Sequence, residues 1–397
     1  LSPVLIPGVL LAAVLYDLFS SELPPGIDQP LKLRFYHSLM IAAMFAGKIL
    51  EKLRICGDLI LLRIMLGGIP PCNDPNLLIK DLKVGEVPLR IYQPKWPTTC
   101  KRKGILYFHG GAGTFGSIKA FERICRYLAK KCNSVVVSVG YRLAPEHPYP
   151  GQYYDCLNAT LYFMRNLDEY HVDPDLIIVS GDSCGANFAT VICHILVNKK
   201  NLPKIRAQIL FYPGLQGLDF HLPSYQQNAS VPILFRKLVI YFCFRYLNKE
   251  HIIMEDVIQS CHVPESMKKK YKKWVSADLI PEEFKIRGYI PQKPTSYKPE
   301  VHEAIKEILG LTFSPLLAED SVICQLPECY LVTCEFDVLR DDGLLYKKRL
   351  EDNGVQVTWY HSEKAFHGVL AFFGYGVLSF LSGKKIMDHT VSYINSL

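Results

Sequence analysis

Three apolar, β-branched runs of this 397-residue chain end in groups that could work together. Ser183 follows "DLIIVSGD", Asp337 follows "ECYLVTCEF", and His367 lies at the end of "VQVTWYHSEKAFH". A serine hydroxyl is a poor nucleophile until a base removes its proton. An imidazole, with an ordinary pKa of about 6.5, can do this at neutral pH and return the proton to a leaving group. A carboxylate behind the imidazole fixes its tautomer and stabilises the imidazolium. Ser183 is fenced by Gly181 and Gly185, and a G-x-S-x-G pattern arises by composition in roughly one chain in seven of this length. The weight therefore falls on the order and setting of the three groups.

Other residues compete for each role. Between the start of the last apolar run and the terminal helix fall His361 and His367. His361 closes that run and reads as an ordinary surface residue, whereas His367 sits in the following loop between Phe366 and Gly368 and can swing over the serine. Asp341 and Asp342 open a helix, where first-turn carboxylates complement the helix dipole. Asp337 comes directly off its strand and is the better acid. Asp182 adjoins the serine but points away from it, a structural position. A tetrahedral intermediate also needs amide donors for its oxyanion, each worth about 10²–10³ in rate. "HGGAGTFGS", His109 to Ser117, supplies a glycine-rich turn after a strand, with the backbone of Gly110, Gly111 and Ala112 free to converge. His109 reads as a brace for this loop, not as a base.

The elements that must position these groups alternate. "VPLRIYQP", "GILYFHG", "VVVSVGY", "LIIVSG", "QILFYP", "ECYLVTCEFD" and "VQVTWYH" read as strands. Between them fall helical stripes: Phe121, Ile124, Cys125 and Leu128; Gln152 to Arg165; and Phe188, Val191, Ile192, Ile195 and Leu196. Asp342 to Asp352 and Lys384 to Ser396 read as later helices. Such alternation predicts an α/β fold with a mostly parallel central sheet and helices on both faces. Reactive groups of such sheets belong at the carboxyl ends of strands. The alternation stops near Gly214, and the chain to about Pro299 is irregular and aromatic, with a helix over Ile233 to Leu247. Divided accordingly, residues 1–20 are a signal-anchor segment, 21–84 an N-terminal cap region, 85–214 the first part of the core, 215–305 a cap insertion, and 306–397 the second part of the core. The amphipathic stretch from Leu31 to Met65 is expected to pack on the insertion as a lid.

The order serine, aspartate, histidine is that of α/β-hydrolases. "HGGAGTFGS", "YRLAPEHPYP", "GDSCGAN", "FDVLRDDG" and "FHG" resemble the hormone-sensitive-lipase branch of that fold. "WVSADLIP", "FSPLLAED" and the apolar N-terminus narrow the likeness to the arylacetamide deacetylase-like group, over essentially the whole chain. The resemblance implies a carboxylesterase or deacylase with Ser183 as nucleophile, Asp337 as orienting acid and His367 as base. The family pattern puts oxyanion donors at Gly111, Ala112 and Cys184. It also implies a membrane-tethered enzyme facing the endoplasmic reticulum lumen. The chain departs from the family at Ala112, where a third glycine is usual; the amide survives, but the added methyl puts catalytic power in question.

Bulk properties bound the remainder. The formal charge of +7 is spread along the chain except for "KKKYKKW", Lys268 to Trp274, read as a solvated surface. No nucleic-acid motif is present, so charge alone does not suggest DNA or RNA. The thirteen cysteines show no zinc-like pairing of C-x-x-C units, and the mechanism needs neither metal nor cofactor. Two sequons, at Asn158 and Asn228, fit a secretory route. Leu1 to Phe19 carries Asp17 as its sole charge and is about one bilayer span long, which favours a signal anchor. The expected substrates are neutral, apolar esters or arylacetamides. A catalytically silent ligand-binding protein on the same fold and a transacylase are the competing readings.

Overall fold

The apolar runs read from the sequence become the strands of one eight-stranded sheet, seen in a computed structural model that describes residues 23–69, 71, 73–249, 252–292 and 295–397. The expected anchor, Leu1 to Phe19, lies outside the described residues. Among the described residues no helix is long and apolar enough to cross a membrane.

The strands are β1 (Leu77–Val84), β2 (Val87–Pro94), β3 (Arg102–Phe108), β4 (Val135–Val139), β5 (Val172–Asp182), β6 (Ile205–Phe211), β7 (Glu328–Phe336) and β8 (Val357–Phe366), in the spatial order β1-β2-β4-β3-β5-β6-β7-β8. Only β2 runs against the others. Strands β3 to β6 are buried on both faces, which is why they read as continuous apolar runs and not as alternating ones. Strand β1 was not anticipated. It is an edge strand with most side chains half or fully exposed, so "LLIKDLKV" carries no clear period. Residues 77–84 therefore belong to the sheet and not to the cap region assigned to 21–84. At the other edge β8 continues past His361 to Phe366, so His361 lies within the strand and not at its end.

Helices α1 (Pro30–Lys52) and α2 (Ile60–Met65) precede the sheet. Helices α3 (Ile118–Lys131), α4 (Gly151–Arg165) and α5 (Cys184–Leu196) connect β3 to β6. Ser117 ends the glycine-rich loop and caps α3, its hydroxyl accepting from the Ala120 amide at 3.1 Å. Between β6 and β7 comes the expected insertion, with short helices α6 (Pro223–Gln227), α7 (Arg236–Leu247), α8 (Met254–Ile258), α9 (Glu265–Tyr271), α10 (Pro299–Ile305) and α11 (Asp320–Ile323). Helices α12 (Arg340–Asp352) and α13 (Leu381–Ser396) complete the core.

The N-terminal lid packs on the insertion as expected: Met40, Met44, Leu59 and Leu62 form one apolar cluster with Leu238 and Phe242 of α7. Asp58 sits beneath this contact, taking hydrogen bonds from Tyr241 and, at 2.6 Å, from Arg245. The lysines of "KKKYKKW" face solvent or half-buried positions while Tyr271 and Trp274 turn inward. All twelve described cysteines are free thiols.

Candidate active site

The turn from β5 into α5 is a sharp elbow. Ser183 has φ 56° and ψ −123°, a strained conformation for a residue with a side chain, and stands immediately before the first helical residue. The flanking glycines are steric necessities. A Cβ on Gly181 would stand 2.4 Å from the Gly185 carbonyl, and one on Gly185 would stand 2.0 Å from the Phe108 carbonyl oxygen of β3. Strand β5 thus delivers Ser183 above the carboxyl edge of the sheet, where the first amides of α5 have no intrahelical acceptor.

Three strand ends converge here. Ser183 Oγ and His367 Nε2 are 2.9 Å apart, and His367 Nδ1 is 2.9 Å from Asp337 Oδ2. Asp337 is fully buried, and its other oxygen accepts from the Leu339 amide at 2.8 Å. The edge of Tyr212 packs against the His367 ring, with centroids 5.0 Å apart. His361 takes no part: it bonds Thr333 at 2.9 Å and faces Glu335. Asp341 and Asp342 are also outside the constellation, but they do more than complement a helix dipole. Both are fully buried. Asp341 accepts from the Ser224 amide at 2.7 Å, and Asp342 accepts from the Leu215 amide, Gln216 and Tyr225. Together they fasten the insertion to the core.

The glycine-rich loop wraps over the elbow. Gly110 was expected among the oxyanion donors, but its amide is already given to Asp182 Oδ1 at 2.8 Å, so it is not available to a substrate. Gly111, Ala112 and Cys184 do line the cavity beside Ser183. Gly111 has φ 119°, and a Cβ there would meet the Phe115 carbonyl oxygen at 2.2 Å. Ala112 has φ 52°, within the left-handed region where a side chain costs roughly 1–2 kcal/mol relative to glycine. The Cys184 thiol reaches back to the loop, accepting from the Gly113 amide at 3.3 Å; desolvation pushes it up to about 12, so it does not compete as a nucleophile.

Two buried groups brace this arrangement. Asp182 also accepts from Tyr107 at 2.8 Å, and burial pushes its carboxyl up to about 7. His109 is stacked between Phe121 and Tyr141, with Nδ1 2.8 Å from the Gly110 carbonyl oxygen, and burial drives it down to about 4. It is a neutral strut beneath the loop. Asn228 escaped the sequence reading because it appeared there only as a sequon. It is completely buried, donates to the Asp337 carbonyl oxygen at 2.9 Å and accepts from Arg287. Its amide nitrogen is therefore not a glycan attachment point in the folded chain. Asn158, in contrast, is exposed on α4.

Above the serine lies a cavity of about 430 Å³ lined overwhelmingly by apolar side chains, among them Met40, Phe115, Leu234, Val239, Phe242 and Phe313. Both the N-terminal lid and the insertion contribute walls. Among the described residues no group of His, Cys, Asp and Glu could hold a metal ion.

A family model described as the alpha/beta hydrolase fold matches residues 105–270 and 293–371. The chain is 41% identical to human arylacetamide deacetylase-like 4 over 395 residues, covering 100% of this chain and 97% of that protein. It is 37% identical to bovine arylacetamide deacetylase over 376 residues, 93% of each. Among solved structures it resembles a thermophilic, thermostable carboxylesterase cloned from a metagenomic library, with a TM-score of 0.61 and 26% identity over 84% of this chain and 96% of that one.

Proposed function

This chain belongs to the arylacetamide deacetylase group of the α/β-hydrolase family, and on that premise we propose that it hydrolyses neutral, apolar carboxylic esters or arylacetamides through an acyl-enzyme on Ser183. The observation that carries the reading is the unbroken hydrogen-bond chain Ser183–His367–Asp337 at the floor of an apolar cavity. His367 Nε2 takes the serine proton as Oγ attacks the carbonyl carbon, while Asp337 holds the imidazolium. The amides of Gly111, Ala112 and Cys184 receive the oxyanion. The same proton then goes to the leaving alcohol or amine. Water, deprotonated by His367, attacks the acyl carbon in turn and frees the acid and Ser183.

The neutral preference follows from the walls, since each methylene buried against them contributes about 0.8 kcal/mol, or roughly fourfold in binding. The apolar N-terminal run, with Asp17 its sole charge, supports a single signal anchor in the endoplasmic reticulum membrane with the catalytic domain in the lumen. Alkaline carbonate extraction tests it: retention in the membrane pellet is expected, and full release overturns it. One observation favours a second reading, a silent ligand-holding protein: Ala112 brings a methyl and a strained φ into the oxyanion loop. Fluorophosphonate labelling of the purified protein decides between them. Labelling that Ser183→Ala abolishes is expected of the hydrolase. No labelling of the wild-type chain, or labelling that persists in Ser183→Ala, sinks the assignment.

A further inference from the structure

Large apolar side chains are exposed on three segments that meet at the mouth of the cavity. On α1, Leu31 (78% exposed), Phe35 and Leu39 stand at i, i+4 spacing and form one stripe. On α2 and the turn after it, Ile64 is 70% exposed and Ile69 68%. On the loop before α13, Val377 is 88% exposed, with Leu378 and Leu381 beside it. Leu39, Ile64, Ile69 and Leu378 also line the cavity, so the patch is its rim.

Contacts hold the three segments together. Lys32 Nζ donates to the carbonyl oxygens of Val377 and Ser379, each at 2.8 Å, and Tyr36 packs on Phe372 with centroids 4.5 Å apart. Arg123 donates to the Ile69 carbonyl oxygen and lies over the Tyr375 ring. Soluble monomers rarely leave a joined apolar surface of this kind open, and single exposed residues elsewhere, such as Leu78 on β1, need no explanation.

We infer that this rim docks on a lipid bilayer and that substrate enters the cavity directly from the membrane. The inference rests on the proposed hydrolase reading and gives its substrates a route. Three observations select a bilayer as the occupant. The entrance to an apolar cavity lies inside the patch, so a docked rim joins the acyl-chain phase to the serine without crossing water. Lys32 and Arg123, which tie the rim together, are cations, the sign that suits phosphate headgroups. The apolar N-terminal run ends at Phe19 and α1 starts at Pro30, so the intervening chain can span at most roughly 40 Å. A membrane anchored by that run stays within reach of α1. The docked apolar face with a flanking basic fringe is the arrangement of proteins that lie on a membrane interface.

The test uses the full chain reconstituted in phosphatidylcholine vesicles, with p-nitrophenyl acetate in the water and p-nitrophenyl decanoate dissolved in the bilayer. Phe35 and Val377 lie outside the cavity lining, so the double variant Phe35→Glu, Val377→Glu should keep acetate turnover within twofold. It should lose at least tenfold on the bilayer ester, whereas Leu78→Glu, at the opposite end of the sheet, should lose neither. Unchanged decanoate turnover in the double variant overturns the inference. So does a shift from dimer to monomer in sedimentation without loss of that turnover, which would make the patch a contact between copies. A second readout does not depend on hydrolysis: tryptophan emission of Phe35→Trp should be quenched by brominated phosphatidylcholine, and that of Leu78→Trp should not. Acetate hydrolysis absent from the wild-type chain, with quenching present, would fail the hydrolase reading and leave docking standing. Absent quenching at position 35 refutes docking itself.

Discussion

Asn228 carries no chemistry, yet it holds the backbone from which Asp337 projects. Its amide donates to the carbonyl oxygens of Asp337 and Glu335, and its oxygen receives Arg287. Leaving such buried groups unpaired costs about 1–3 kcal/mol. Asn228→Ala is expected to lower the melting temperature by several degrees. It should also reduce kcat on a p-nitrophenyl ester by roughly tenfold with little change in KM, as befits a residue that positions the acid without touching substrate. A fall in stability with kcat unaltered would limit Asn228 to a structural role. Ala112 poses the opposite question, because its methyl is the one departure in the oxyanion loop. Ala112→Gly removes a left-handed alanine but adds unfolded-state freedom, two effects of about 1 kcal/mol that oppose each other. Stability should therefore be nearly unchanged and ester turnover should stay within threefold. A rise of more than tenfold would mean that Ala112 throttles the site and would strengthen the ligand-holding reading. Neither residue was fully legible in the sequence: Asn228 looked like a sequon, and the Ala112 backbone angle depends on how the loop folds over Cys184.

The elements differ in how openly the sequence declared them. The parallel strands were legible because burial on both faces leaves an unbroken apolar run, and the elbow because only glycine fits within 3 Å of two neighbouring backbones. Accordingly Gly185→Ala, whose Cβ would fall 2.0 Å from a carbonyl oxygen of β3, should fail to accumulate as folded protein. Ser183→Ala should fold normally, and circular dichroism with size-exclusion profiles separates the two cases. Strand β1 was not legible, since an exposed edge strand is stabilised by its partner's backbone and not by a pattern of its own. Equally hidden was the commitment of the Gly110 amide, because Asp182 lies 72 residues away in sequence and is brought to it only by the pairing of β3 with β5. The lid shows the same dependence on distant partners. Asp58 is buried and holds Tyr241 and Arg245 of the insertion, so Asp58→Ala takes the acceptor from the Tyr241 hydroxyl and leaves the half-buried Arg245 guanidinium to Glu51 at 3.5 Å, a loss of about 1–3 kcal/mol. We expect limited proteolysis of that variant to cleave between α1 and α2 well before the core unfolds. Cleavage at the wild-type rate would show that the apolar cluster around Met44 and Leu62 suffices to hold the lid.

Across the whole molecule, the junctions between core, glycine-rich loop and insertion are built on titratable groups taken out of water, and these must respond to pH in opposite senses. His109 beneath the loop and His262 in the insertion are both almost wholly buried, and burial drives each down to about 4. A base whose folded pKa lies below its unfolded value of about 6.5 contributes stability that is present above pH 6.5 and is lost as pH falls toward 4, on the order of 3 kcal/mol for each group. Asp342, at the seam where Leu215, Gln216 and Tyr225 meet α12, is pushed up to about 7 by desolvation. Its sign is reversed: an acid with a raised folded pKa contributes stability that is present below its unfolded value and is lost as pH rises through 7. The two contributions partly cancel between pH 4 and 7, so the pH profile of the wild-type chain alone cannot display either. Differences against variants can. The advantage of His262→Gln over the wild-type chain should grow as pH is lowered from 7 to 4, because the variant has no imidazole to keep neutral. The advantage of Asp342→Asn should grow as pH is raised from 5 to 8, because the amide never has to ionise in the seam. Melting temperatures at matched ionic strength across that range read both slopes, and parallel curves for either variant would show that its group titrates normally in the fold.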